Sequence, residues 1–166
     1  MNDYTHPFMH SSSLIPELKT MVYTTSSDLW KIRLEQDLLV VPIDLIRKDP
    51  VLRVLTNKFD PDGRICIFRL FPNSCYAWHA DRDRGTCINM LIEGRDSVTF
   101  FGKEDGPHKH SELMMCEYPG HKYVLMNVSQ KHTVYNFGNM RYILSISIPK
   151  PATYSEVRQF LIDENL

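Results

Sequence analysis

Between residues 63 and 150 the chain is built from short runs rich in β-branched and aromatic residues. "GRICIFRLFP", "TCINMLI" and "SVTFFG" come first, then "KYVLMNV", "HTVYNF" and "MRYILSISI", with turn residues between them. Runs of this kind predict strands. The first 62 residues carry a different pattern. "SSSLIPELKTMVY" begins with helix-starting serines and puts Glu17 in a first turn. "PIDLIRKDPVLRVLTNKF" repeats apolar residues at helical spacing, with Pro50 breaking or kinking it. Pro151 ends the last strand, and "SEVRQFLIDENL" predicts a closing helix capped by Ser155. The expected organisation is one domain over 1–166, with a helical or irregular support (1–62), a β core (63–150) and a C-terminal tail or helix (151–166). The class is mainly β with flanking helices, a sandwich or jelly roll.

A chain of 166 residues can bury a core without staples. Its formal charge of −1 gives no general attraction to nucleic acid or to an anionic membrane. "RKDPVLRVLTNK" is locally basic, but on a helix it reads as a solvated face. Cys66, Cys75, Cys87 and Cys116 show no CxxC pairing and no zinc-knuckle spacing. Without a signal peptide, they read as reduced thiols of a cytoplasmic protein. The apolar run "DLLVVPIDLI" is interrupted by Pro42 and Asp44, so no membrane span is expected.

Candidate chemistry concentrates in "CYAWHADRDRGTCINML", residues 75–91, where His79 and Asp81 stand two apart. These two alone fit either a metal site or a hydrogen-bonded polar turn. A third ligand is available in "KHTVYNFGNMRYILSISIPK". Gly138-Asn139 is a favoured two-residue hairpin turn, which would pair Phe137 with Met140, Asn136 with Arg141, Val134 with Ile143 and His132 with Ser145. His132 and Arg141 would then share one face, separated by about 13 Å at strand rise. A metal at one end of a short dianionic ligand and a guanidinium at the other would suit that arrangement.

Tyr76-x-x-His79-x-Asp81, followed downstream by His132 and by Arg141 in "RYILSISI", resembles the core of the Fe(II)/2-oxoglutarate-dependent dioxygenases. The similarity is to their prolyl-hydroxylase-like branch and covers roughly residues 64–149. It implies a double-stranded β-helix (jelly roll) core. It also implies a facial triad of His79, Asp81 and His132 for Fe(II), a ligand set that leaves open positions for non-haem iron. By the same resemblance 2-oxoglutarate is the cosubstrate, dioxygen the oxidant and ascorbate a supporting reductant. Arg141 would hold the far carboxylate through two parallel hydrogen bonds, and Tyr76 would add another. Asp81 favours hydroxylation, since related halogenases lack that carboxylate. Asn89 stands where relatives often carry an aromatic or hydroxyl residue facing the cofactor, and it is a candidate cosubstrate contact; Asn136 shares the inward face. The implied substrate is a peptidyl residue (Pro, or Asn/Asp) or a small amino-acid-like molecule, and the charge argues against nucleic acid.

Each residue also has a plainer reading. His132 could be a satisfied strand-end histidine, Arg141 an exposed cross-strand partner, and Tyr76 and Trp78 packing residues; Asp83 reads as solvated. His108-x-His110 is a rival metal pair, but Met114 and Met115 occupy the positions where a cupin would need a glutamate. His6, His10 and His121 have no partner pattern. The alternative from another class is a non-catalytic jelly-roll module that binds a small acid, sugar or peptide.

Overall fold

The computed structural model describes residues 4–33, 36–61, 64–104 and 109–166. Strand β1 (Thr5–Ser11) leads into helix α1 (Ile15–Thr24), a 3-10 turn (Ser27–Leu29) and strands β2 (Lys31–Arg33) and β3 (Gln36–Val40). Helices α2 (Ile43–Ile46) and α3 (Pro50–Phe59) follow. Then come β4 (Ile65–Leu70), β5 (Ser74–His79), β6 (Thr86–Glu93), β7 (Ser97–Glu104) and β8 (His110–Cys116). The chain closes with β9 (Lys122–Met126), β10 (His132–Asn136), β11 (Arg141–Ile148) and α4 (Tyr154–Asp163). The strands form a seven-stranded sheet, β1-β9-β6-β11-β4-β3-β2, and a four-stranded sheet, β5-β10-β7-β8. Facing one another with antiparallel pairing throughout, they make a double-stranded β-helix.

Period-two alternation sorts the large sheet's side chains into two layers. On β11, Leu144, Ile146 and Ile148 point outward and pack under the helices with Ile65, Ile67, Ile88, Met90, Leu18, Leu52, Leu55, Val157 and Leu161. Arg141, Ile143 and Ser145 point into the sandwich. Both faces are covered, so β11 is almost wholly buried. Part of the sandwich interior is apolar, lined by Cys87, Phe101, Cys116, Val124, Met126 and Val128. All four cysteines are unbridged.

A buried carboxylate helps join the helical support to the sheet. Asp49, 1% exposed, caps α3 by accepting from the Val51 and Leu52 amides at 3.0 and 3.2 Å. Its other oxygen accepts from Ser13 N–H and Oγ–H, both at 3.0 Å, and from the Tyr123 hydroxyl of β9 at 2.9 Å. Ser12 and Ser13 are therefore spent on this cluster, and the N-cap of α1 is Leu14, which makes no side-chain cap bond. Pro50 stands at the start of α3, where a missing N–H costs nothing, and so separates α2 from α3. The closing helix is capped by Thr153 rather than Ser155. Thr153 and Glu156 form a reciprocal capping box, and Ser155 lies inside the first turn.

Two expectations are corrected. The first 62 residues hold three strands besides their helices; β1 and β2 lie at the edges of the large sheet, where Pro7 and polar residues are tolerated and obscure the pattern. The hairpin across Gly138-Asn139 does not form. β10 pairs with β5 and β7, whereas β11 pairs with β4 and β6, so the chain crosses from one sheet to the other. The Asn136 amide nitrogen fixes the crossing by donating to the carbonyls of Leu70, Phe71 and Asn139 at 3.1, 2.9 and 2.8 Å. Gly138 is needed for close approach: a Cβ there would sit 2.4 Å from the Arg95 carbonyl oxygen.

Replacing Asp49 with Ala removes a cap worth about 1 kcal/mol and takes away the acceptor of the Ser13 amide and hydroxyl at roughly 1–3 kcal/mol, while Tyr123 keeps Ser12 Oγ at 2.6 Å. Urea unfolding should therefore show a loss of about 3 kcal/mol. A loss below about 1 kcal/mol would remove Asp49 from its role as the junction.

Candidate metal centre and anion pocket

His79 ends β5 and His132 begins β10, directly opposite it in the ladder. Their rings lie 4.1 Å apart between centroids. Asp81 follows two residues after His79 and is placed by its backbone N–H, which donates to the Val128 carbonyl at 2.9 Å. Ligand atoms of His79, Asp81 and His132 all lie within 4.8 Å of one another. Among the described residues this is the group that could hold a metal ion. His108 of the rival pair lies outside the described residues, and His110 opens β8 in the small sheet.

Each imidazole is oriented by its own backbone. Nδ1–H of His79 donates to the Ala77 carbonyl at 2.7 Å, and Nδ1–H of His132 to the Gln130 carbonyl at 2.9 Å. A carbonyl can only accept, so the proton is on Nδ1 and Nε2 keeps its lone pair for a metal. His132 is 5% exposed. Burial, then the neighbouring His79, pushes its pKa down to about 4, so it is a neutral ligand at neutral pH.

Tyr76 shares this face for a reason spacing alone does not supply. Residues three apart on a regular strand point to opposite faces. Here the register slips: His132 pairs with His79, but Val134 pairs with Tyr76, so β5 carries an extra residue. The bulge turns Tyr76 inward, and its ring meets the His79 ring edge-on at 4.3 Å. Trp78 packs beside Gly102, where a Cβ would stand 3.1 Å from the indole.

Arg141 begins β11 on the opposite sheet, four residues before Ser145 and thus roughly 13 Å along the strand. It is 4% exposed, and its Nε is buried without a hydrogen-bond partner. No salt bridge pairs it with a carboxylate among the described residues; its guanidinium sits 5.4 Å from the Tyr118 ring centroid. Gly94 closes over it, where a Cβ would be 3.3 Å from the Arg141 stem. Asn89 lines the same cavity, with its amide nitrogen on Met126 sulfur at 3.0 Å and its Oδ1 buried without a partner. Asn136 serves the sheet crossing instead.

Residues missed in the sequence are Arg84 and Tyr118. Arg84 Nε donates to Asp81 Oδ2 at 2.7 Å, and its Nη1 donates to Ser147 Oγ at 2.9 Å and Ser145 Oγ at 3.3 Å. This leaves Asp81 Oδ1 toward His79, 3.8 Å from Nε2. The only hint was Arg84 itself, three residues after Asp81 in the crowded "DRDR" turn. Tyr118 is half-buried, packing against Arg141 with its hydroxyl 3.4 Å from Thr99 Oγ1, and desolvation of that hydroxyl pushes its pKa up to about 12. Nothing in "CEYPG" announces it.

The donor set of two imidazoles and one carboxylate fits non-haem iron. The buried Arg141 fits an anion, since an unpaired guanidinium in the interior is costly. The narrow cavity between these ends has about 50 Å³ of open space. A larger cleft of about 890 Å³ adjoins it, and Tyr76, Phe68 and Arg84 border both.

No family model and no curated protein matches the sequence. The structure is similar to a prolyl-4-hydroxylase from Pseudomonas putida, with a TM-score of 0.63 at 13% identity over 89% of this chain and 92% of that one. It is also similar to an oxidoreductase of the 2OG-Fe(II) oxygenase family from Burkholderia pseudomallei, with a TM-score of 0.57 at 12% identity over 81% of this chain and 77% of the other. At such identities the likeness shows a common jelly-roll fold. Among the described residues no helix is long and apolar enough to cross a membrane.

His132→Ala should abolish stoichiometric Fe(II) binding, measured anaerobically against a chelating indicator. Arg84→Gln should weaken it about 10- to 100-fold, the usual effect of removing a group that orients a ligand. Wild-type affinity in the Arg84 variant would show that Asp81 is aimed without it.

Proposed function

We propose that this chain is an Fe(II)- and 2-oxoglutarate-dependent oxygenase. Its reaction is hydroxylation of an unactivated C–H in a peptidyl residue (Pro, or Asn/Asp) or a small amino-acid-like substrate. The observation that carries the reading is the pairing of two sites in one cavity. Three potential metal ligands converge at one end, and a buried arginine without an anionic partner lies at the other. The jelly-roll likeness to two oxygenase structures supports the same reading.

The chemistry supplied by bound iron and keto acid is dioxygen activation coupled to oxidative decarboxylation and C–H oxidation. The protein's share is positioning and exclusion of water. His79 and His132, held by their Nδ1 bonds, present Nε2 to one point, and Asp81 adds its charge there. Arg141 would take the far carboxylate as a bidentate partner. Its depth excludes water and strengthens that attraction. Asn89 and Tyr118 are placed to contribute hydrogen bonds at this end.

Anaerobic titration with Fe(II) and 2-oxoglutarate should produce a weak visible charge-transfer band that requires both. No band, and no change in thermal stability with either, would leave a non-catalytic binding module. Arg141→Ala should keep metal binding and raise the apparent 2-oxoglutarate requirement by tenfold or more, on the order expected for a lost charge-assisted pair. An unchanged requirement would remove Arg141 from the site.

A further inference from the structure

The wide cleft beside Asp81 has a charge character that the whole chain lacks. Arg64, Arg82, Arg84 and Lys150 line it, against the carboxylates of Asp81 and Asp83. Of the four cations, only Arg84 is in a salt bridge among the described residues, with Asp81. Arg64, Arg82 and Lys150 are solvent-exposed. Lys150 is positioned by donating from Nζ to the Arg82 carbonyl at 2.7 Å, which holds its ammonium beside the Arg82 turn and consumes none of its charge. Asp83 offsets one of the three remaining charges. The cleft therefore carries a net positive field on a molecule whose formal charge is −1. Low-dielectric walls focus such a field onto whatever enters.

The position gives this charge a use. Asp81 belongs both to the candidate metal group and to the cleft wall, and Tyr76, Phe68 and Arg84 separate the cleft from the narrow cavity. Arg141 is not part of the cleft, so these cations are distinct from the pocket that would take a cosubstrate carboxylate. A volume of about 890 Å³ is in the range of small-ligand sites. The cations are confined to one concavity and do not form the long basic stripe that a nucleic-acid backbone requires.

We propose that the cleft binds an oxyanion of a small substrate, a carboxylate or a phosphate. Arg82, Lys150 and Arg64 hold this group while the rest of the molecule reaches toward Asp81. That the bound molecule is then oxidised rests on the oxygenase reading; the anion site itself does not.

The test uses the chain stripped of metal and then dialysed into chelator-free buffer at low salt, followed by amide chemical shifts. The probes are N-acetylglutamate for the carboxylate, glycerol phosphate for the phosphate, and N-acetylglutamine amide and glycerol as neutral counterparts. At least one anion should shift the amides of residues 82–84 and 150 saturably, and the neutral probes should not. Affinity should fall about tenfold in R82Q/K150Q, as expected for lost charge-assisted hydrogen bonds. It should also fall with added salt, because the site is open to screening. The tighter anion identifies the group. Should the double variant fail to fold, R82Q and K150Q are read singly, since both side chains are exposed. The proposal is overturned if no anion saturates, if neutral probes bind equally, or if shifts cluster around Tyr118 and Arg141 and ignore the substitutions. Because iron is absent, a missing charge-transfer band would not touch this result, and failure here would leave that band unaffected.

Discussion

Between Asn136 and Arg141 the backbone leaves the small sheet and enters the large one. Three carbonyls bound by one asparagine amide hold the crossing in place, and Gly138 lets it pass against Arg95. Had those residues turned back on themselves, His132 and Arg141 would lie along one sheet face. Because they cross, the imidazole and the guanidinium enter the interior from opposite walls. Packed sheets stand about 10 Å apart. The two groups therefore bracket one interior space, where a low dielectric would strengthen the attraction of either for a charged ligand. The pairing of β5 with β10 completes the arrangement by setting His79 directly opposite His132.

Such an interior is expensive. His132, Arg141, Thr99 and Ser145 are all buried, and apolar side chains in their places would stabilise the fold more. The chain offsets this by placing its largest apolar cluster elsewhere, between the outer face of the large sheet and helices α1, α3 and α4. Asp49 welds that layer to β9 through Tyr123. The helices thus stabilise a sheet whose inner face can be given over to polar chemistry. β11 shows the division residue by residue: Leu144 and Ile146 serve the helical core, while Arg141 and Ser145 face the cavity.

The sequence exposed this plan unevenly. Strands β4, β6, β7, β9, β10 and β11 were legible because β-branched and aromatic residues dominate them, and His79, Asp81 and His132, singled out by their spacing, are brought within reach of one another by the structure. His132, Ile143 and Arg141 were expected to share one sheet face through a hairpin that does not exist; they line one cavity, but from opposite sheets. Period-two alternation tells which residues point the same way, but not which sheet a strand joins, so a crossing and a hairpin leave similar patterns. The bulge in β5 was equally hidden, since nothing in "CYAWH" marks the extra residue that brings Tyr76 and His79 together. β8 was lost because Glu112 takes a left-handed conformation within it, and Glu112, Leu113 and Met115 are exposed. The contact of Tyr118 with Arg141 links residues far apart in sequence, and no local spacing encodes such a pair.

Arg84 joins the two halves of the site. Its Nε holds one oxygen of Asp81, its Nη1 rests on Ser145 and Ser147, and its side chain borders both the narrow cavity and the wide cleft. A guanidinium keeps its charge at any relevant pH, so this contact holds Asp81 Oδ2 and offsets its charge. Swinging Arg84 outward would widen the cavity, but it would also release Asp81 Oδ2 and leave two buried serine hydroxyls to find other partners. The width of the cavity and the aim of the candidate metal ligand are therefore not independent. A ligand that needs both more room and an oriented carboxylate must either replace the contacts of Arg84 with its own or move Tyr76 and Phe68 instead. The aromatic side is itself tied to the site, since the Phe68 ring lies 6.0 Å from the Arg84 guanidinium and the Tyr76 ring 4.3 Å from that of His79.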